Sequence, residues 1–455
     1  MQITTNYIRK IKNLKKKTEL RYVGLVLYIF MVSLSRLRWL WAAKIIGKFI
    51  IRKYSKNYAV NSLLAVVFSQ LWEPKSECDA LMRLVRSGKN DVELLARAGE
   101  SAAYSDDLAS LHEVRNAATP HGGPLLAYLD GLIAFFNMNA NYATYFQESV
   151  KSFLQAGGHE VKDTSLPTMS EQIKKYIESG RKLPGFVRQA YNILEPSILD
   201  TIFLNNDVPP PHTYLTNHSE RTYYENKGDS DTVILISCSH GYLILFSEYF
   251  ISKFRLKNNN IIHFHIITDD IELVRRFLYV LIKRYKNINY SIEPVSEKSQ
   301  TYITIARFLI CQEVMNTYRS DVLITDIDSN LDFDLSSLIR KIDIQSFDVG
   351  LCDPGNKLPW SKFAAGFSYF KYSNVATSTY LSMLSKYLTA LYMNGGFFSM
   401  DQTGVFQVYE YMKGRDLALN TVNLMQFIDF KRIISVPNQL NRKKIKLKWG
   451  DGGPQ

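Results

Sequence analysis

The sequence predicts an α/β protein in which an all-α helical domain precedes a C-terminal half built on a helix-covered, largely parallel sheet. Three observations predict it. Apolar residues recur at helical spacing through residues 57–205 almost without strand-like alternation, whereas from residue 231 short β-rich runs alternate with helical patterns. A polar, proline-rich stretch, residues 206–230, divides the two styles. At about 100–200 residues per domain, 455 residues allow two or three cored domains, and 46% hydrophobic content excludes a collagenous or wholly disordered chain.

The first element is a basic head, residues 1–56. It holds 14 Lys or Arg against one acid, Glu19, while the remainder carries 41 bases and 42 acids. A near-neutral body with a cationic head argues against nucleic-acid binding and points to a local contact with an anionic membrane surface. Residues 22–34 (YVGLVLYIFMVSL) are apolar but end before Arg36 and Arg38, short of the roughly 20 residues a spanning helix needs. No secretory cleavage is expected, because residues 36–53 (RLRWLWAAKIIGKFIIRK) go on mixing cations with bulky apolar groups. In that run Leu40, Ile45, Ile46, Phe49 and Ile50 are expected on one face and Lys44, Lys48 and Arg52 on another, as in an interfacial helix, with Trp39 and Trp41 at headgroup level. The alternative is a helix packed on the next domain. The four cysteines, Cys78, Cys238, Cys311 and Cys352, are far apart and form no CxxC, so neither zinc site nor disulfide framework is expected. The predicted location is cytoplasmic, peripheral at the inner face of a membrane.

The helical domain, residues 57–205, is punctuated at Glu73-Pro74, Ser87-Gly88, the run TPHGGP at 119–124, Gly157-Gly158 and Leu183-Pro184-Gly185. Segments 92–118 and 125–157 overlay so that Leu95, Gly99 and Tyr104 fall near Leu126, Gly131 and Phe136. This resembles a tetratricopeptide-type helix pair, with an ordinary helical domain as the alternative. His112, His121 and His159 lack metal-ligand spacing. The expected role is a scaffold.

In residues 231–455, runs 232–238 (TVILISC), 261–268 (IIHFHIIT), 289–295 and 321–325 (DVLIT) read as strands, and 242–255, 271–285 and 300–318 as helices. Apolar runs without alternation suit parallel strands covered on both faces, and ligands gather at the carboxyl ends of such strands. Polar residues follow three of these strands: SCSHGY, then Asp269 with Asp270, then Asp326-Ile327-Asp328. Two carboxylates on one turn can share Mn²⁺ or Mg²⁺, which prefer oxygen ligands and leave positions for water and phosphate. A diphosphate bridged by that ion leaves more readily.

This arrangement resembles the nucleotide-sugar glycosyltransferases of GT-A-type fold, particularly the family 8-like branch, over about half of the chain. The marks are the serine-bearing loop after the first strand, YITIARF at 302–308, the DxD pair, AAGFSYF at 364–370 and DQTGVF at 401–406. The resemblance implies a Rossmann-like mixed sheet and transfer from a nucleotide diphosphate sugar, UDP-linked by expectation, to a glycan, lipid-linked or protein acceptor. It implies that Asp328 binds the metal, that Asp326 contacts metal or ribose, and that Arg307 faces diphosphate or donor sugar. Ser237 and Asp269 would lie near base and ribose, Gly366 would admit sugar or acceptor, and Asp401 with Gln402 would act at the transferring sugar. On physical grounds Arg307 suits bidentate phosphate contact or a salt bridge, and Tyr302, five residues earlier, is expected to share its face or its edge and to contact substrate there. Asp401 opens a helical pattern, so a helix N-cap is its structural alternative.

Family 8-like enzymes usually add a late histidine as metal ligand, but no histidine follows His265, leaving Asp451 of WGDGG or a water. Ala364 and Ala365 stand where an Asn is usual before the acceptor-side glycine, so retention or inversion stays open, with Asp401 the general base if the reaction inverts. Two other readings compete: a nucleotidyltransferase, although SCSHGY is poor in the glycines and cations its phosphate loop needs, and a non-catalytic helical adaptor with a degenerate transferase domain.

Overall fold

The structure, a computed structural model, describes residues 22–36, 39–55, 57–71, 73–159, 161, 165–204, 222–224, 232–295, 299–329, 331, 333–355, 358–397 and 399–428. Asp451 lies outside them, as does most of the 206–230 stretch. Two compact units form, one within residues 1–162 and 176–190, the other within 163–175 and 191–455.

The first unit is helical: α1 (Tyr22–Arg36), α2 (Leu40–Ile51), α3 (Tyr58–Gln70), α4 (Pro74–Arg86), α5 (Val92–Tyr104), α6 (Leu108–Ala117), α7 (Gly123–Phe136) and α8 (Tyr142–Ala156). Each packs on its sequence neighbour. The starts are written in the sequence, since the side chains of Asn57, Asp91 and Asp107 accept hydrogen bonds from backbone N–H groups three residues on, and Pro74 occupies the first turn of α4. The stops are too: Gly88 and Gly158 take φ of +80° and +82°, a backbone state that costs glycine little. Gly99 and Gly131, which overlay in sequence, meet different neighbours. A Cβ on Gly99 of α5 would strike Leu129 of α7, and one on Gly131 of α7 would come within 2.9 Å of Phe146 of α8.

In α2 the expected apolar face divides in two. Ala43, Gly47 and Ile50 are buried, while Ile45 and Phe49 are 62% and 65% exposed. Lys44, expected on the solvated face, is drawn into an ion pair with Glu73. The reason is Gly47, whose bare Cα lets α2 settle on Leu64 and Met31, so the small-residue side packs and the bulky side faces out.

Helices α9 (Leu166–Glu178) and α10 (Gly185–Tyr191) are followed by α11 (Pro196–Leu204). Sequence periodicity assigns α11 to the helical domain, whereas its contacts place it in the second unit: Asp200 accepts from Tyr411 at 2.7 Å and pairs with Arg415, and Phe203 meets the Tyr411 ring edge-on.

Among the described residues eight strands form one mixed sheet: β1 (Thr222–Tyr224), β2 (Thr232–Ser239), β3 (Ile262–Thr268), β4 (Ile288–Pro294), β5 (Asp321–Thr325), β6 (Val349–Leu351), β7 (Phe367–Phe370) and β8 (Thr421–Asn423), in the order β1-β4-β3-β2-β5-β7-β6-β8. Strands β4, β3, β2 and β5 run parallel, and β7 opposes both β5 and β6. All seven residues of β3 are buried, which is why its sequence does not alternate. Helices α12 (His240–Phe254), α13 (Ile271–Arg284), α14 (Gln300–Leu309), α15 (Cys311–Tyr318), α16 (Leu335–Asp343), α17 (Val375–Met393) and α18 (Met400–Gly414) complete the unit. The single helix expected over 300–318 is two, parted at Ile310. No helix among the described residues is long and apolar enough to cross a membrane. All four cysteines are buried free thiols.

Candidate functional site

The chain order of the strands reverses between β2 and β5, since β3 and β4 extend the sheet on one side of β2 and β5 joins on the other. In a parallel sheet such a reversal opens a crevice at the carboxyl ends. Asp326 follows β5 directly at that point. Its turn is held by Ser329, whose N–H and Oγ donate to the Asp326 carbonyl at 3.1 and 2.7 Å. Ile327 is 3% exposed and anchors the turn in the core. The Asp326 side chain is half exposed, and Asp328 is partly exposed.

Three further residues converge on Asp326. Arg307 of α14 donates through Nη1 to Asp326 Oδ1 and through Nη2 to Asp401 Oδ2 at 2.7 Å. Gly366, just before β7, lies beneath the Asp326 carboxylate, and a Cβ there would come within 2.9 Å of its Cγ and strike Oδ2. Asp401 lies in the first turn of α18 and is buried. It is not the N-cap: that place belongs to Ser399, at φ +77°, and the Asp401 carboxylate is spent on Arg307. Gln402 beside it is partly exposed.

Burial of the Arg307 guanidinium works against its charge, but the Asp326 and Asp401 carboxylates outweigh burial and hold its pKa above the usual value. Its Nε is buried and makes no hydrogen bond among the described residues. Arg307 thus sits between two carboxylates, those of Asp326 and Asp401, and Asp328 follows two residues after Asp326 on the same turn. Two carboxylates on one turn fit Mg²⁺ or Mn²⁺, which take one or two protein oxygens and fill the rest with water and phosphate. No group of three His, Cys, Asp or Glu side chains comes together among the described residues.

Ser237 lies on β2, between β3 and β5, and donates to the Ile303 carbonyl of α14 at 3.3 Å. Asp269 follows β3, two strands and thus about 10 Å from β5. It lies 3.4 Å from His240 Nδ1, which is also 2.8 Å from Thr268 Oγ1. His240 at the start of α12 therefore joins this edge, and its sequence signal is its place after a buried strand.

Tyr302 is not brought to the edge. It is 3% exposed, its hydroxyl bonds Glu293, and its ring packs on Tyr392. It ends a buried polar string in which Glu293 lies 2.9 Å from His265, His265 and His263 flank Ser291 Oγ at 2.8 and 3.0 Å, and His263 meets Tyr318 at 2.8 Å. Burial, helped by the neighbouring His265, pushes the His263 pKa down to about 3 and keeps that ring neutral. A separate groove of about 720 Å³ beside α17, lined by Phe308, Gln312, Asn316, Ser378, Ser382 and Lys386, contains none of these site residues.

No protein-family model matches the sequence, and no curated protein matches it.

Proposed function

We propose that the chain is a metal-dependent glycosyltransferase of GT-A-type fold that moves a sugar from a nucleotide diphosphate donor to a glycan, lipid-linked or protein acceptor. The observation that carries the proposal is the convergence of Arg307, Asp326, Gly366 and Asp401 where the strand order reverses. A salt bridge serving stability alone needs neither a half-exposed carboxylate nor a glycine beneath it.

In this reading Asp326 and Asp328 hold Mn²⁺ or Mg²⁺, which when bound neutralises charge on the departing diphosphate. Arg307 supplies a fixed positive charge at the same oxygens, oriented by Asp401. Ser237 and Asp269 face base and ribose, and Gln402 faces the sugar. The bond between the anomeric carbon and the diphosphate oxygen breaks with its electron pair on the diphosphate. A bond to the acceptor oxygen forms, and the acceptor's proton passes to a base. Asp401 is an unsuitable base, being buried and occupied by Arg307. In the same reading the basic head would hold the enzyme near a membrane-borne acceptor.

The purified protein is to be assayed for hydrolysis of nucleotide sugars with Mn²⁺. Activity is expected to fall at least about 100-fold in Asp328→Ala, the scale of removing an electrostatic stabiliser. Activity unchanged in that variant contradicts the metal assignment.

A further inference from the structure

We infer that the outward face of α2, made by Trp41, Ile45, Lys48, Phe49 and Arg52 with Trp39 at its start, docks on an anionic lipid bilayer. This deepens the membrane reading above and is independent of sugar transfer. At about 100° per residue, positions 41, 45, 48, 49 and 52 share one sector of the helix or its next turn. Trp39, Trp41, Ile45 and Phe49 are 64%, 67%, 62% and 65% exposed, and Lys48 and Arg52 are exposed beside them. The opposite side, Ala43, Gly47 and Ile50, is buried, so this face is what α2 leaves outward. Helix α1 also exposes Phe30.

Charge identifies the occupant. Residues 20–72 contain no Asp or Glu, and among the described residues Lys44 of α2 pairs with the Glu73 carboxylate while Lys48 is shown with no carboxylate partner. Residues 9–21 add a run of cations in sequence. A surface that interleaves cations with tryptophan, isoleucine and phenylalanine matches a bilayer interface, where headgroup phosphates meet the cations and the acyl boundary takes the apolar groups. A nucleic acid would satisfy the cations and leave Ile45 and Phe49 in water. A 12-residue helix is about 18 Å long, suited to lying in the interface rather than crossing it.

The test is flotation of the full-length protein with vesicles of phosphatidylcholine alone or with about 30% phosphatidylserine, at low and high salt. Salt-sensitive binding to the anionic vesicles is expected. Lys48→Glu with Arg52→Glu should weaken it at least about tenfold, since each cation near the surface contributes substantially. Trp41→Ser with Phe49→Ser should weaken it comparably, with the melting temperature unchanged because these side chains are exposed. Should either pair lower the melting temperature, the wild type decides: brominated acyl chains should quench its tryptophan fluorescence, and Trp39→Phe with Trp41→Phe should keep binding and lose the quenched component. Binding equal in wild type and charge variant overturns the inference, as does equal binding to neutral vesicles. Self-association or RNA binding through this face without vesicle binding overturns it too.

Discussion

Arg307 is the residue on which the site turns, because it is buried with a counter-charge on either side. Replacing it by methionine leaves Asp401 buried without a partner, and breaking a buried pair in this way costs about 3–5 kcal/mol. Urea unfolding of Arg307→Met measures that loss. Arg307→Lys keeps the charge but not the fork, so it should lose less stability and still bind a nucleoside diphosphate more weakly. Gly366 makes a second prediction. Its Cβ would occupy space held by the Asp326 carboxylate. Gly366→Ala should therefore cost roughly 1–3 kcal/mol, as overpacking does, and lower Mn²⁺-dependent nucleotide affinity by turning Asp326 aside. A thermal melt with and without nucleotide separates the two effects.

Among elements, what was legible in the sequence is the part set by local pattern. Strands β2, β3 and β5 announced themselves because parallel strands buried on both faces need unbroken apolar runs, and the DxD turn followed from where β5 stops. Strands β6 and β8, three residues each, are too short for a pattern. The contact of Arg307 with Asp401 joins residues 94 apart, and no spacing rule reaches so far. Five helical residues turn a side chain by about 140°, which carries Tyr302 away from Arg307 and onto Glu293. In the helical unit Glu100 of α5 accepts from Tyr128 of α7 at 2.6 Å. Burial raises the Glu100 pKa to about 7, against a smaller opposing effect of that hydrogen bond. The folded state then holds a proton that the unfolded state releases near pH 4.5, so stability should fall as pH rises from about 4.5 to about 7 and level off above. Glu100→Gln should flatten that fall and stabilise the protein at pH 8 by up to about 3 kcal/mol, as chemical denaturation across pH would show.

At the scale of the whole molecule, the boundary suggested by composition near residue 206 differs from the one made by packing. Residues 191–204 are tied into the α/β unit: Tyr191 donates to the Asn394 carbonyl at 2.6 Å, Gln407 accepts from the Leu194 N–H at 2.9 Å, and Tyr387 bonds the Asn192 carbonyl. A fragment beginning at residue 206 should accordingly lose cooperative melting, because Tyr387, Gln407 and Tyr411 would lose these partners and the apolar cover of Leu199, Ile202 and Phe203. The whole 455-residue chain is thus the form in which metal-dependent nucleotide binding should be measured, by calorimetric titration with UDP in the presence and absence of Mn²⁺. UDP binding is expected to require the metal and to disappear in Asp328→Ala. Binding of equal strength without Mn²⁺, or no binding to any nucleoside diphosphate in its presence, would contradict the proposed function.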